Sequence, residues 1–402
     1  MTTPDILSPD IYVDGVPHAR FDQLRREAPV AWHPEPNDGP GFWAVTKHAD
    51  VLAVSLDAKT FSSEAGGTQI EDLPRGDLRV SPDNLAVMDP PRHSRFRALV
   101  ASAFTPAGIA ATEPYIVKLV KERLDALTGR GRFDFMSELA ARLPMAIILR
   151  MVGVPAEDEH RLGRWIARLL APDDPEFASS PEERAKITAE FMGYAHDLAA
   201  ARRKTPEDDL LSRLMAATID GVSLTYEEFG MFFMLLLAAG THTTQLSIGN
   251  AIRLLFEHPE QRSALAADPT LAESAIEEVL RFSPPLMHFR RTAKVDTEIR
   301  GVRVAAGQKV VIWYPSANRD EDVFPSPHTF DIRRTRNEHV SFGHGPHTCL
   351  GHVLARMQLR IAVGTVVARM PELALDGPGE RLRSNWFNGY KSMPVRGVSH
   401  PA

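Results

Sequence analysis

The residues with the greatest chemical potential lie in one short stretch, Phe342, Gly343, His344, Gly345, Pro346, His347, Thr348, Cys349, Leu350 and Gly351, which holds the only cysteine of the 402-residue chain. A lone cysteine has several uses. It can be a small buried hydrophobe. It can be a nucleophile if a base is positioned beside it, and His347 lies two residues away. It can also bind a metal. Gly343, Gly345 and Gly351 permit turns and close backbone approach. A strongly helical segment begins at about Leu350, and the free N–H groups of a helix start stabilise a thiolate. A glycine-rich loop with a flat aromatic (Phe342) and a dipole-stabilised thiolate is what a haem iron with a proximal cysteine requires. The nucleophile reading stays open on these residues alone.

The ten residues Phe342 to Gly351, at their spacing, resemble the haem-binding loop of the cytochrome P450 superfamily, in its soluble bacterial, ferredoxin-dependent (class I) form. His347 stands where many members carry arginine, as is frequent in the bacterial branch. The resemblance runs over roughly residues 20–395. It implies haem b as cofactor, with the Cys349 thiolate as its axial metal ligand and Phe342 and Gly351 beside it.

Other segments fit the same reading. His93 and Arg97 follow Asp89-Pro90-Pro91 and share a helical face at i and i+4. By resemblance they hydrogen-bond the haem propionates together with Arg291 and His347, which suits the fork an arginine offers to a carboxylate. Glu278 and Arg281, at i and i+3, read as a helix ion pair. By resemblance they form a buried structural pair that ties their helix to the irregular stretch before the cysteine loop, in which Asn318, Arg319, Phe324 and Phe330 fall at the family's positions. The run Ala239-Gly240-Thr241-His242-Thr243-Thr244 sits inside a long helical pattern. A helix-interior glycine costs about 1 kcal/mol, and threonine hydroxyls bond back to the i−4 carbonyl, so the run marks a notch or a close helix contact. By resemblance Ala239 and Gly240 lie over the haem, and Thr243 orients O2 and proton-carrying water. His242 departs from the family, which usually carries an acid there. A histidine titrates near neutral pH, so His242 is expected to relay protons.

Substrate-lining positions by resemblance are Leu85, Val87, Leu235, Ala239, Met287, Phe289, Trp386 and Phe387. All are apolar, which points to a lipophilic substrate. The ending from Ser384 to Val395 is similar to endings of bacterial members acting on terpenoids, steroids and branched lipids.

These residues need a scaffold. Phe21–Glu27 and Ala49–Leu56 read as helical, and the runs from Val30 and from Gly41 as strands. Pro106 to about Met215 reads as helical nearly throughout, broken at Gly129, at Gly153–Pro155 and at Pro172. Tyr226–His258 reads as one long helix starting behind Ser223 and Thr225. A helix over Leu271–Phe282 stops at Ser283-Pro284-Pro285, since proline cannot continue it. Short β runs begin at Gly301, Asn318–Arg336 is irregular, and a last helix covers about Leu350 to Ala368. The class is mainly α with a minor β part. By resemblance it is a single domain over 1–402, a triangular α-rich prism with the long helix over the haem. Its β-richer parts fall at about 20–90 and 290–320, its α-rich parts at about 91–285 and 350–370.

Composition agrees with a folded interior, since 44% of the residues are hydrophobic and 24% charged, an ordinary globular balance. The net charge of −6 disfavours nucleic acid. The start MTTPDILSPDIYVDG lacks the basic and apolar regions of a signal peptide. The apolar run Phe229–Gly240 is too short to span a bilayer. A cytoplasmic protein without a membrane anchor is expected. The resemblance implies a monooxygenase, an oxidoreductase using O2 and two electrons from a ferredoxin or flavodoxin and its NAD(P)H reductase. Arg95, Arg333, Arg334, Arg356 and Arg360 are candidates for a basic face toward that partner. A peroxide-driven enzyme, motivated by His242, and a non-catalytic haem ligand-binding protein are the alternatives.

Overall fold

The computed structural model describes residues 4–36, 38–74 and 77–397, so the first three residues of the start read above lie outside it. The long helix runs from Tyr226 to Glu257, 32 residues, as the periodicity predicts. Its start is set by Thr225, whose hydroxyl accepts from the Glu228 N–H at 3.1 Å, while the Glu228 carboxylate accepts from the Thr225 N–H at 2.9 Å. This reciprocal cap satisfies two donors that the first turn leaves free. The helix is long and apolar enough to cross a membrane, but 67% of its most apolar window is buried inside the protein. It is a core element, packed against the helices Arg142–Val152, Pro181–Lys204 and His352–Arg369.

The main sheet has five strands in the order Val30–His33, Phe42–Val45, Lys309–Trp313, His288–Ala293 and Phe61–Ser62. Only the Phe42–Val45 and Lys309–Trp313 pair is parallel. His288–Ala293 is antiparallel to Lys309–Trp313, and strand alternation sends Phe289 and Arg291 to one face and Arg290 to the other. That strand thereby brings an apolar and a cationic side chain to the same cavity.

The helical stretch after Pro106 differs from expectation in one element. Arg132–Asp134 is a strand, paired with Pro394–Arg396 from the far end of the chain. A partner so remote in sequence leaves no local trace. The last helix starts at His352, with Gly351 as its cap, and the helix before the proline pair spans Ala272–Phe282.

Candidate active site

A cavity of about 250 Å³ lies between the long helix and the cysteine loop. Cys349 faces into it, and its N–H donates to the Phe342 carbonyl at 2.8 Å. Gly345 holds φ +71°, and a Cβ there would come within 2.6 Å of the Ser55 carbonyl. The loop therefore seats against the helix His48–Leu56 only with glycine. Burial pushes the Cys349 thiol up, while the Gly351 N–H, Arg97 and Arg356 pull it down. Burial wins in the bare chain. A bound metal cation reverses that balance, because a coordinating thiol is deprotonated outright.

The cavity also gathers His93, Arg97, Arg291 and His347 from three separate segments, the helix Arg92–Ala101, the strand His288–Ala293 and the cysteine loop. The two imidazoles pack at 4.3 Å between centroids, their planes tilted by 40°. His93 is pushed down to about 4, first by burial and then by Arg97, and His347 to about 2, by burial and then by Arg291, His93 and Arg97. Neither Arg97 nor Arg291 has a carboxylate partner among the described residues, although Arg291 is 4% exposed. The Nδ1 of His93 is buried without a partner. Unpaired buried cations are costly, so this cluster calls for anionic ligands. The two propionates of a haem, with its iron on Cys349, fit that demand. Tyr314, absent from the expected set, lines the same cavity; burial pushes its hydroxyl up to about 12, and it faces Arg291. The signal was available in principle, since a buried tyrosine needs a hydrogen-bond partner.

On the long helix, Ala239, Gly240 and Thr243 line the cavity as expected. Gly240 also passes close to the helix Arg142–Val152: a Cβ would meet Ile148 at 3.2 Å. The Thr243 hydroxyl donates to the Ala239 carbonyl at 2.8 Å, and Ser247 donates to the Thr243 carbonyl at 2.8 Å. Thr244, Ser247 and Gln358 were not anticipated, yet all three line the cavity. Gln358 interrupts an otherwise apolar face between Leu354 and Ile361, which was legible from periodicity.

His242 is where the structure corrects the sequence reading. At about 100° per residue, a side chain next to Thr243 turns away from the face Thr243 shares with Ala239 and Ser247. His242 is absent from the cavity lining, is 8% exposed, and packs edge-on against Phe387 at 4.6 Å. Its Nε2 has no partner, and burial holds its pKa down at about 4. It is neutral at pH 7 and does not face the site where a proton would be delivered. The unfolded chain takes up this proton near pH 6.5 and the folded chain does not. Stability is therefore complete above that pH and falls as pH drops toward the folded value. The cost at pH 5 is about 2 kcal/mol. His242→Leu is therefore expected to flatten the acid side of a stability–pH curve from chemical denaturation; an unchanged slope between pH 6.5 and 5 contradicts this.

Of the expected substrate-lining positions, Leu85, Leu235 and Phe289 reach the cavity. Val87, Met287, Trp386 and Phe387 do not. Met287 is fully buried in a cluster with Phe21 and Trp313, and Phe387 packs with Leu246, Leu382 and Ala171. These side chains point into the layers behind the wall. Glu278 and Arg281 form the expected ion pair, both fully buried, at 2.8 Å.

The expected basic face is largely neutralised. Arg95 pairs with Asp220 at 2.7 Å, Arg356 with Glu277 at 2.7 Å, Arg360 with Glu113 at 2.8 Å and Arg334 with Glu278 at 3.1 Å. Of the five, only Arg333 lacks an ion-pair partner among the described residues. The partners are remote in sequence, so the arginines alone gave no sign of them.

The cytochrome P450 family model matches residues 73–371. Linalool 8-monooxygenase of Pseudomonas putida is 38% identical over 403 residues, covering 98% of this chain and 99% of that protein. The methyl-branched lipid omega-hydroxylase of Mycobacterium tuberculosis is 38% identical over 392 residues, covering 95% of this chain and 91% of that protein. Among solved structures, a Mycobacterium marinum cytochrome P450 in complex with pseudoionone superposes with a TM-score of 0.92 at 36% identity, covering 98% of each chain. A thiol facing a cavity that holds two arginines without carboxylate partners, and relatives matched from end to end, have one common explanation: the chain belongs to the cytochrome P450 family and is a monooxygenase carrying haem b on the Cys349 thiolate.

Proposed function

We propose that this monooxygenase hydroxylates a branched, apolar small molecule of the terpenoid, steroid or lipid kind. Its electrons come from a soluble ferredoxin or flavodoxin with an NAD(P)H reductase, in the cytoplasm, and the chain 1–402 works as one catalytic domain. The observation that carries the reading is the contrast within the cavity: Leu85, Leu286 and Phe289 supply apolar side chains, while the long helix supplies Leu235 and the hydroxyls of Thr243, Thr244 and Ser247. Relatives named for linalool and for methyl-branched lipids support the same class.

Haem b, when bound, supplies the iron at which O2 is reduced so that one oxygen atom enters a C–H bond. The chain supplies the rest. Arg97, Arg291, His93, His347 and Tyr314 would hold the carboxylates of the cofactor. The apolar wall removes water from the substrate and orients it by shape. The Thr243 hydroxyl donates its hydrogen bond to the Ala239 carbonyl, so its oxygen is free to accept from a cavity water and hold it in place.

Two measurements test this. Branched terpenoids and lipids are expected to shift the ferric absorbance from low to high spin, and product is expected with NADH and a surrogate ferredoxin system. Product from peroxide alone, with none from the ferredoxin system, favours the peroxide-driven alternative. Within the ferredoxin assay, Thr243→Ala is expected to lower product per NADH by about tenfold. His242→Leu is expected to leave that ratio unchanged, because its ring lies outside the cavity. Uncoupling by His242→Leu equal to that of Thr243→Ala overturns this division of roles.

A further inference from the structure

The cavity lining that includes Leu85, Ala86, Leu286 and Phe289 also includes Thr68, whose hydroxyl lies outside the long helix, Tyr314 and the cysteine-loop segment. Thr68 is 7% exposed, and its hydroxyl has no hydrogen-bond partner among the described residues. A valine has the same shape and would fit an apolar wall without leaving a polar group unsatisfied.

The loop that carries Thr68 is held to the sheet at every second residue. The Thr68 carbonyl accepts from the Arg290 N–H at 2.8 Å. The Ile70 carbonyl accepts from Lys309 Nζ at 2.9 Å. The Asp72 carboxylate takes both Arg290, at 2.6 Å, and Lys309, at 2.9 Å. Lys309 is completed by Glu35 at 2.8 Å. Arg290 and Lys309 are 4% and 3% exposed, so two cations have been withdrawn from water to fasten this segment. Buried ion networks contribute little net stability against apolar packing, but they fix geometry. What they fix here is the backbone at Thr68 and in the residues that follow it.

We propose that Thr68 is a specificity-determining residue, its hydroxyl hydrogen-bonding an oxygen function of the substrate while the apolar wall holds the hydrocarbon body. The substrate class is thereby narrowed to branched hydrocarbons that carry one hydroxyl or carbonyl. A preorganised anchor of this kind fixes which end of a nearly featureless molecule is presented for oxidation. The inference rests on the terpenoid-or-lipid reading given above.

The test compares linalool with citronellene, the hydrocarbon of the same skeleton without the hydroxyl, by calorimetric binding to the haem-loaded protein. Wild type is expected to bind linalool about fivefold more tightly, the net value of one hydrogen bond. Thr68→Val is expected to lose that preference by weakening linalool alone, and Thr68→Ser to restore it. Binding of both compounds with equal affinity changes in Thr68→Val overturns the anchor and leaves the substrate class standing. Faster haem loss in Thr68→Val, with the ligand preference intact, overturns it in favour of a hydroxyl serving the propionates. Failure of both compounds to bind wild type overturns the terpenoid reading and the anchor with it.

Discussion

Cys349→Ala is expected to yield a protein whose reduced carbon monoxide complex lacks the red-shifted Soret band of thiolate ligation and whose monooxygenase turnover falls below detection. There is no second cysteine to take over, and among the described residues no cluster of histidine and carboxylate side chains offers another metal site. His347 lines the same cavity, but it is a neutral imidazole engaged with Ser63 at 3.4 Å and with the His93 ring. Iron retained through such a nitrogen would give a different band, and it would lack the electron donation that a thiolate brings to O–O cleavage. The cation cluster is untouched by the substitution, so residual haem binding through the propionates is compatible with the expectation. Persistence of the red-shifted band in Cys349→Ala contradicts the ligand assignment outright.

The second large effect concerns stability. Glu278→Ala is expected to destabilise the fold by roughly 3–5 kcal/mol, the cost of stranding a buried charge, read as a lower midpoint in denaturant unfolding. Both members of the pair are fully buried. Glu278 accepts from Arg281 at 2.8 Å through each oxygen, from Asn337 at 3.0 Å, from the Asp331 N–H at 3.0 Å and from Arg334 at 3.1 Å. Arg281 in turn donates to the carbonyls of Asn318 and Pro327 at 2.9 Å and of Thr329 at 3.1 Å. Replacing an isolated buried pair by apolar residues is often nearly neutral. Here the double replacement Glu278→Leu with Arg281→Leu is expected to remain destabilising, because it also strands the carbonyls of Asn318 and Pro327, the Asp331 N–H and the Asn337 amide, and leaves Arg334 without its carboxylate. The irregular stretch from 318 to 337 has almost no regular backbone pairing of its own, so side-chain contacts hold it, this network together with Lys47 on Asp320 and Asn318 on Ser341. A loss below about 1 kcal/mol for Glu278→Ala contradicts that account.

Much of the site was legible before folding, and the reason differs residue by residue. Cys349 was legible because the glycines that shape its loop are its sequence neighbours. The long helix was legible because a 3.6-residue period and a Thr225–Glu228 cap are local signals. His93 and Arg97 were legible as a pair because four residues make one helical step. The direction of His242 was also available from helix geometry, since adjacent residues point about 100° apart. Weight given to its titration chemistry hid that simpler fact. Gln358 was available in the same way, as a polar residue on an apolar face.

Other features had no local trace. Trp386 and Phe387 lie in an irregular segment, where no period says which way a ring turns, and they pack behind the wall instead of on it. The strand Arg132–Asp134 exists because Pro394–Arg396 comes to meet it. The arginines expected at a docking face are paired by Asp220, Glu277, Glu278 and Glu113, each far off in the chain. Thr68 was invisible because its importance comes from Arg290 and Lys309, far downstream in the chain, and from the apolar company it keeps in the cavity. The sequence by itself determined the iron ligand and the long helix above it, because each is written in residues within a few positions of one another, whereas Arg291 was joined to His93, Arg97 and His347 only by the resemblance. Only the tertiary structure decided which side chains face the substrate, because that depends on contacts between segments that no local spacing encodes.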